Sequence, residues 1–135
     1  MTPFFLDGKM LTMQGVFYPT GYIMAMLPDR DSANAVGREM AAHPGGGQVS
    51  LVEPAEVISI IGGTVKGTDD GSGMPSAGSE AATVREFVEL AQKGHCGMLI
   101  EVPDDANLQR AKDVLHAHNF SYAQRYRMLV IEDIT

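Results

Sequence analysis

A chain of 135 residues with 44% hydrophobic and 20% charged side chains has the size and balance of one globular domain with one core. Its formal net charge of -7 opposes a phosphate backbone, and its scattered basic residues come closest together at Arg125 and Arg127, so no nucleic-acid partner is expected. The lone Cys96 excludes an internal disulfide framework, no apolar run approaches the roughly 18 residues of a spanning helix, and no basic region precedes Phe4-Phe5-Leu6; the expectation is a cytoplasmic chain with no membrane contact.

Residues 1–20 lack a clean period, being interrupted by Gly8, Gly15 and Pro19. They read as an irregular arm, with a short strand near Val16-Phe17-Tyr18 and with Met10 and Met13 as alternative translation starts. Residues 21–135 read as a single domain. Tyr22 to Leu27 are apolar on both alternating faces, which marks a strand covered on both sides. Pro28 ends it, and Asp29 or Asp31 can cap a helix whose Ala33, Val36, Gly37 and Met40 share one face. His43-Pro44-Gly45-Gly46-Gly47 stops that helix. Val49 to Val52 is a short strand ending before Pro54.

An insert over 54–94 follows. Pro54-Ala55-Glu56 suits a first helical turn, whereas Val57 to Ile61 is rich in β-branched residues; a short helix is the reading adopted. Residues 67–79 are too polar and glycine-rich to bury and read as a mobile, dispensable loop. Ser79 can cap the next helix, which places Val84, Phe87, Val88 and Ala91 on one face and closes at Gly94. Met98 to Val102 form a second apolar strand. Asp104 or Asp105 caps a helix carrying Leu108, Ala111, Val114 and Leu115, with Asn119 as its left-handed terminator. Tyr122 to Glu132 reads as one long final strand, with Tyr126, Met128 and Val130 on one side.

The chain thus contains nearly the same unit twice. Aligning Pro28 with Pro103 also matches Asp29 with Asp104, Ala42 with Ala117 and His43 with His118, while Val36 falls on Ala111 and Met40 on Leu115. A duplicated β-α-β unit points to an α+β, ferredoxin-like plan: βαβ, helical insert, βαβ, around an antiparallel four-stranded sheet with both repeat helices on one face.

Motifs for chemistry are sparse. His95 and Cys96 adjoin, but neighbouring strand residues point to opposite faces, so Cys96 reads as a buried structural thiol. His116 and His118 lie two apart on a helix, about 200° around its axis, unlike the i, i+4 pairs that bind metal. Asp69-Asp70 fail a calcium-loop pattern, because Gly71 and Gly73 occupy the third and fifth positions. Gly62 to Gly67 lack the Gly-Lys-Ser/Thr ending of a phosphate loop. Tyr122 and Tyr126 with two arginines suggest a base-stacking platform, but the central strands offer Met24, Met26, Met98 and Ile100 instead of aromatics. No metal site, cofactor or catalytic residue is assigned.

The stretches Ile23 to Met40 and Gly94-His95-Cys96-Gly97-Met98-Leu99-Ile100-Glu101-Val102-Pro103-Asp104, continuing through Ala111, Leu115 and Asn119, resemble the general stress protein 17M-like family of small bacterial proteins. The resemblance covers roughly half the chain. It implies a ferredoxin-like sheet and no established catalytic residues; fold analogy supplies no function.

Two functional readings follow. In the first, the chain is a noncatalytic assembly or regulatory module. Its strands are apolar on both faces and the repeat helices cover only one, so the 54–63 and 79–94 helices or a second subunit must cover the other; one inserted helix about 10 Å across cannot span four strands about 4.8 Å apart, and a homodimer is expected to bury part of this face, with Tyr126 and Met128 near the contact. In the second, it is a small-molecule-binding or enzymatic domain with a ligand pocket between the sheet and the inserted helix, using His95, Glu101, Tyr126 and Arg127.

Overall fold

The computed structural model describes residues 2–3, 17–43, 45–62, 77–127 and 130–135. In chain order the elements are β1 (Thr2–Pro3), β2 (Tyr22–Leu27), α1 (Arg30–Ala41), β3 (Val49–Val52), α2 (Pro54–Val57) running into a π-helical turn (Ile58–Gly62), α3 (Ala77–Gln92), β4 (Cys96–Glu101), α4 (Asp105–Ala117), β5 (Tyr122–Arg127) and β6 (Val130–Asp133). Among the described residues, four α-helices accompany an α+β arrangement whose sheet runs in the order β1-β3-β4-β2-β5-β6. Strands β3 to β6 together with β2 are antiparallel to their neighbours, and the short β1 lies parallel against β3. Each β-α-β unit is split by a strand of the other: β4 lies between β2 and β3, and β2 lies between β4 and β5.

The duplicated sequence has duplicated local chemistry. Asp29 and Asp104 both adopt extended backbone before a helix. Each carboxylate accepts the backbone N–H three residues on, Ser32 at 2.7 Å and Asn107 at 2.8 Å. These bonds favour the ionised form, so both carboxyls titrate below their ordinary value. A carboxyl whose pKa is lower in the folded chain stabilises it fully above the unfolded-state value of about 3.9, and that stabilisation fades as pH falls through the lower folded value. Asparagine caps a helix without titrating. The double variant Asp29→Asn, Asp104→Asn should therefore lose less melting temperature than the natural chain between about pH 5 and pH 2. Parallel melting curves across that range would show that the caps do not couple folding to pH.

One sheet face packs on α1 and α4. Ile23, Ala25 and Leu27 from β2, and Cys96, Met98 and Ile100 from β4, meet Ala33, Val36 and Met40 of α1 and Ala111, Val114 and Leu115 of α4. These are the helical faces and the repeat equivalences that the sequence pattern indicates. The opposite face carries Met24, Met26, Leu99 and Val52, with Tyr126. It is covered by Val57 and Ile61, by Phe87, Leu90 and Ala91 of α3, and by Phe17. The two apolar faces of β2 and β4 are thus buried inside one chain. The expectation that a partner must cover the second face loses its premise, because α2 with its π turn, α3 and Phe17 share the area that one helix could not span.

Other sequence expectations change in the structure. Among the described residues the sheet has five antiparallel strands and the two-residue β1, where four strands are expected. The extra antiparallel strand comes from the chain's end. Tyr122 to Glu132 is not one strand but a hairpin, with Arg127 opposite Val130, Tyr126 opposite Ile131 and Arg125 opposite Glu132. Folding back sets Glu132 within 3.3 Å of Arg125 and 3.5 Å of Arg127, pairing charges that one extended strand would hold apart. It also places Ile131 beside Tyr126 on the α3 side. Residues 128–129 lie outside the described residues, and with them the placement expected for Met128.

The segment after Pro54 is helical despite its β-branched run. Pro54 stands at the helix start, and the backbone N–H of Glu53 donates to Glu56 Oε1 at 2.9 Å. Val57 and Ile61, four apart, are buried while Ile58 and Ser59 face outward, a helical spacing. Helix α3 starts at Ala77, so Ser79 is inside it and does not cap it. The rest of the loop expected at 67–79, and Met10 and Met13, lie outside the described residues. Within the N-terminal arm, Thr2–Pro3 pairs with β3, Phe17 is buried, and the Tyr18 hydroxyl donates to the Arg127 carbonyl at 2.6 Å.

Candidate functional site

The residues expected to bind a ligand are set by the two ends of the central strands. His95 immediately precedes β4 and Glu101 ends it. Along extended chain the rise from one to the other is about 20 Å, at roughly 3.4 Å per residue. They cannot share one small ligand.

At the first end, His95 is half-buried and its Nδ1 shares a 2.7 Å hydrogen bond with Ser121 Oγ. Both residues are fixed through their backbones: His95 N–H donates to the Leu90 carbonyl and Ser121 N–H to the Met26 carbonyl. Asp29 is engaged as a helix cap, with its Oδ1 on Ser32. Nearby, Arg30 makes a two-pronged ion pair with Glu53, tying the start of α1 to the start of α2.

Cys96 also lies at this end, with 2% of its surface exposed. Burial is the main reason its thiol is pushed up from the ordinary value, with Arg30 acting in the opposite direction. A neutral, enclosed thiol is a poor nucleophile. In the native chain Cys96 should react with iodoacetamide far more slowly than in the urea-unfolded chain. Equal rates, followed by intact mass, would place the thiol at an open site.

At the other end, Glu101, Tyr126 and Arg127 come together around β2, which separates the first from the other two. Register pairs Tyr22 with Glu101, and Gly21 N–H donates to the Tyr126 carbonyl at 2.8 Å. Their side chains do not converge on a common space. Glu101 Oε1 accepts the Gln48 N–H at 2.9 Å, and the Glu101 side chain lies so close to Gly47 that a Cβ added there would fall 2.6 Å from Glu101 Cβ. Tyr126 is buried, with the edge-packed rings of Tyr18 at 5.2 Å and Phe17 at 6.4 Å. Arg127 is exposed and pairs with Glu132.

The space expected to hold a ligand, between the sheet and α3, is filled. Phe87 is fully buried there, with its ring 5.1 Å from that of Tyr122. A crevice bounded by Phe17, Met24, Val52, Val57, Ile60 and Ile61 is too narrow to admit water. Neither Tyr122 nor Tyr126 presents an open ring to the sheet surface, since one packs on Phe87 and the other on Phe17 and Tyr18. His116 Nε2 bonds the Thr135 carbonyl at 3.0 Å, and His118 pairs with Glu39 of α1. Among the described residues, no three His, Cys, Asp or Glu side chains gather as a metal-binding group, and no helix is long and apolar enough to cross a membrane.

Two buried polar residues escaped the sequence reading. Gln124 is 3% exposed and its amide donates to Tyr122 Oη at 2.8 Å and to Asp133. Asn107 is 6% exposed in the first turn of α4. Gln124 sits between Tyr122 and Tyr126 at a position where strand alternation directs it to the same side, so its face was legible; its burial required the hairpin and α3. No family model, curated protein or solved structure matches the chain.

Proposed function

We propose that this protein is a noncatalytic assembly or regulatory module of the cytoplasm, built on a ferredoxin-like domain akin to the general stress protein 17M-like family. The observation that carries the reading is the closure of both sheet faces by apolar side chains, with His95, Glu101, Tyr126 and Arg127 each committed to a separate local contact. The split β-α-β order, with two helices on one face, supports the ferredoxin-like assignment.

Such a module works through its surface. Ile58 is the large apolar side chain left exposed among the described residues, so no broad apolar patch recommends a face. The outer edge of β6 offers backbone donors and acceptors, and its acidic residues are already engaged, Glu132 with Arg125 and Arg127, and Asp133 with Gln124. Homodimer formation along this edge is the assembly proposed. Light scattering at micromolar concentration should return a dimer mass, and proline at Ile131, where the chain lies in the edge strand, should lower it to a monomer. A monomer mass for the natural chain sinks the assembly reading.

A further inference from the structure

The two edges of the sheet are not alike. Among the described residues, β1 closes one edge with two residues, of which Pro3 has no N–H to offer a further strand. Strand β6 closes the other edge with Val130–Asp133, and neither proline nor lysine blunts it. The direction of its backbone groups follows from the ladder. Ile134 N–H donates to the Ala123 carbonyl at 3.1 Å, and Asp133 stands opposite Gln124. Bonded and non-bonded pairs alternate along an antiparallel ladder, so Ile134 and Glu132 turn their N–H and C=O groups toward β5. Ile131 and Asp133 turn theirs outward, past the last described strand of the sheet.

A second copy of β6 carries the same outward pattern, and a two-fold contact needs only one self-complementary surface. Three antiparallel registers bring the outward residues of two copies together: Ile131 opposite Ile131, Ile131 opposite Asp133, and Asp133 opposite Asp133. The third sets a carboxylate directly against its own copy. The second puts Glu132 on the axis, opposite itself in a closely spaced, non-bonded pair. Like charges directly opposite are destabilising. The first sets an aliphatic side chain against its copy and carries both acidic residues off the axis. Glu132 then keeps Arg125 and Arg127, and Asp133 keeps Gln124. Ile131 is half-buried beside Tyr126 on the α3 side, so its pairing extends the apolar layer under α3 from one chain into the next.

We infer that two copies join β6 to β6 in the register that places Ile131 opposite Ile131, each exchanging its N–H and C=O with the other across the two-fold axis. This rests on the assembly reading and adds the contact that forms the dimer. Single cysteines Ile131→Cys, Glu132→Cys and Asp133→Cys, oxidised at micromolar concentration and followed by non-reducing electrophoresis, read the register. Cys96 is 2% exposed and does not compete. Across the axis the Cα atoms of residue 131 lie about 5.5 Å apart, within disulfide range. Those of residues 132 and 133 are displaced by about 7 and 14 Å along the strands as well, beyond that range. Ile131→Cys should therefore give the covalent dimer, and the other two should run as monomers. Cross-linking at 132 or 133 in preference to 131, with a dimer mass for the natural chain, overturns this register and leaves the assembly reading standing. A monomer mass for the natural chain overturns both. Should Ile131→Cys fail to fold, amide hydrogen exchange of the natural chain decides it. The Ile131 N–H should exchange more slowly as concentration rises and the dimer forms; an unchanged rate overturns the inference.

Discussion

Phe87→Ala should destabilise the chain by about 3–5 kcal/mol, the range for removing a fully buried aromatic ring. Phe87 has 0% of its surface exposed and stands in the middle of α3, facing the sheet. Its neighbours in the cluster are Met24, Met26 and Leu99 from the central strands and Leu90 and Ala91 from its own helix. The ring also meets Tyr122 edge-on, a geometry worth about 0.5–1.5 kcal/mol beyond area burial. Truncation opens a cavity that two helices and a sheet can close only in part. Urea unfolding measures the loss. A change within about 0.5 kcal/mol, the size of an ordinary surface substitution, would put Phe87 at the surface and make α3 a partner-binding helix.

On the other face, Leu115→Ala should cost about 2–5 kcal/mol. Leu115 is 0% exposed and occupies the place in α4 that Met40 occupies in α1. Its cluster includes Val36, Met98 and Ile100 and is separated from Phe87 by the sheet. Sites on opposite faces with no shared partner add within about 0.5 kcal/mol. A double-mutant cycle using the milder pair Phe87→Leu and Leu115→Val keeps the chain folded and tests this. A coupling energy above about 1 kcal/mol would mean that the two faces respond as one core, through the methionines and leucines that alternate along β2 and β4.

The caps and the two core layers differ in how openly the sequence displays them. Caps at Asp29 or Asp31 and at Asp104 or Asp105 were legible because capping is local: a carboxylate three residues from the N–H it accepts needs no tertiary partner, and the structure selects Asp29 and Asp104. The inward faces of α1 and α4 were legible for a similar reason, since helical periodicity is written in the spacing of Val36, Met40, Ala111 and Leu115. Residue type and proximity along the chain single out the candidate ligand residues. Strand length then placed His95 and Glu101 at opposite ends, a separation that residue type does not encode.

By itself the sequence determined the duplicated β-α-β units, their capped helices and the double-sided burial of β2 and β4, because each depends on period or on bonds spanning a few residues; after Pro54 it left helix and strand both open. Only the tertiary structure decided what covers the second sheet face, how the chain's end pairs, and where Asn107 Oδ1 and Gln124 sit. The cover is assembled from α2, the π turn, α3 and Phe17, segments whose individual apolar faces do not announce a shared target. The hairpin of β5 and β6 has no glycine or asparagine at 128–129 to signal a turn, so its evidence is the register that brings Glu132 to Arg125 and Ile131 to Tyr126. The approach of Asn107 to Gly46 needs residues about 60 positions apart to meet, the start of one repeat helix against the turn that follows the other. Contacts between elements follow from how layers stack, and no local pattern of residues specifies that stacking in advance.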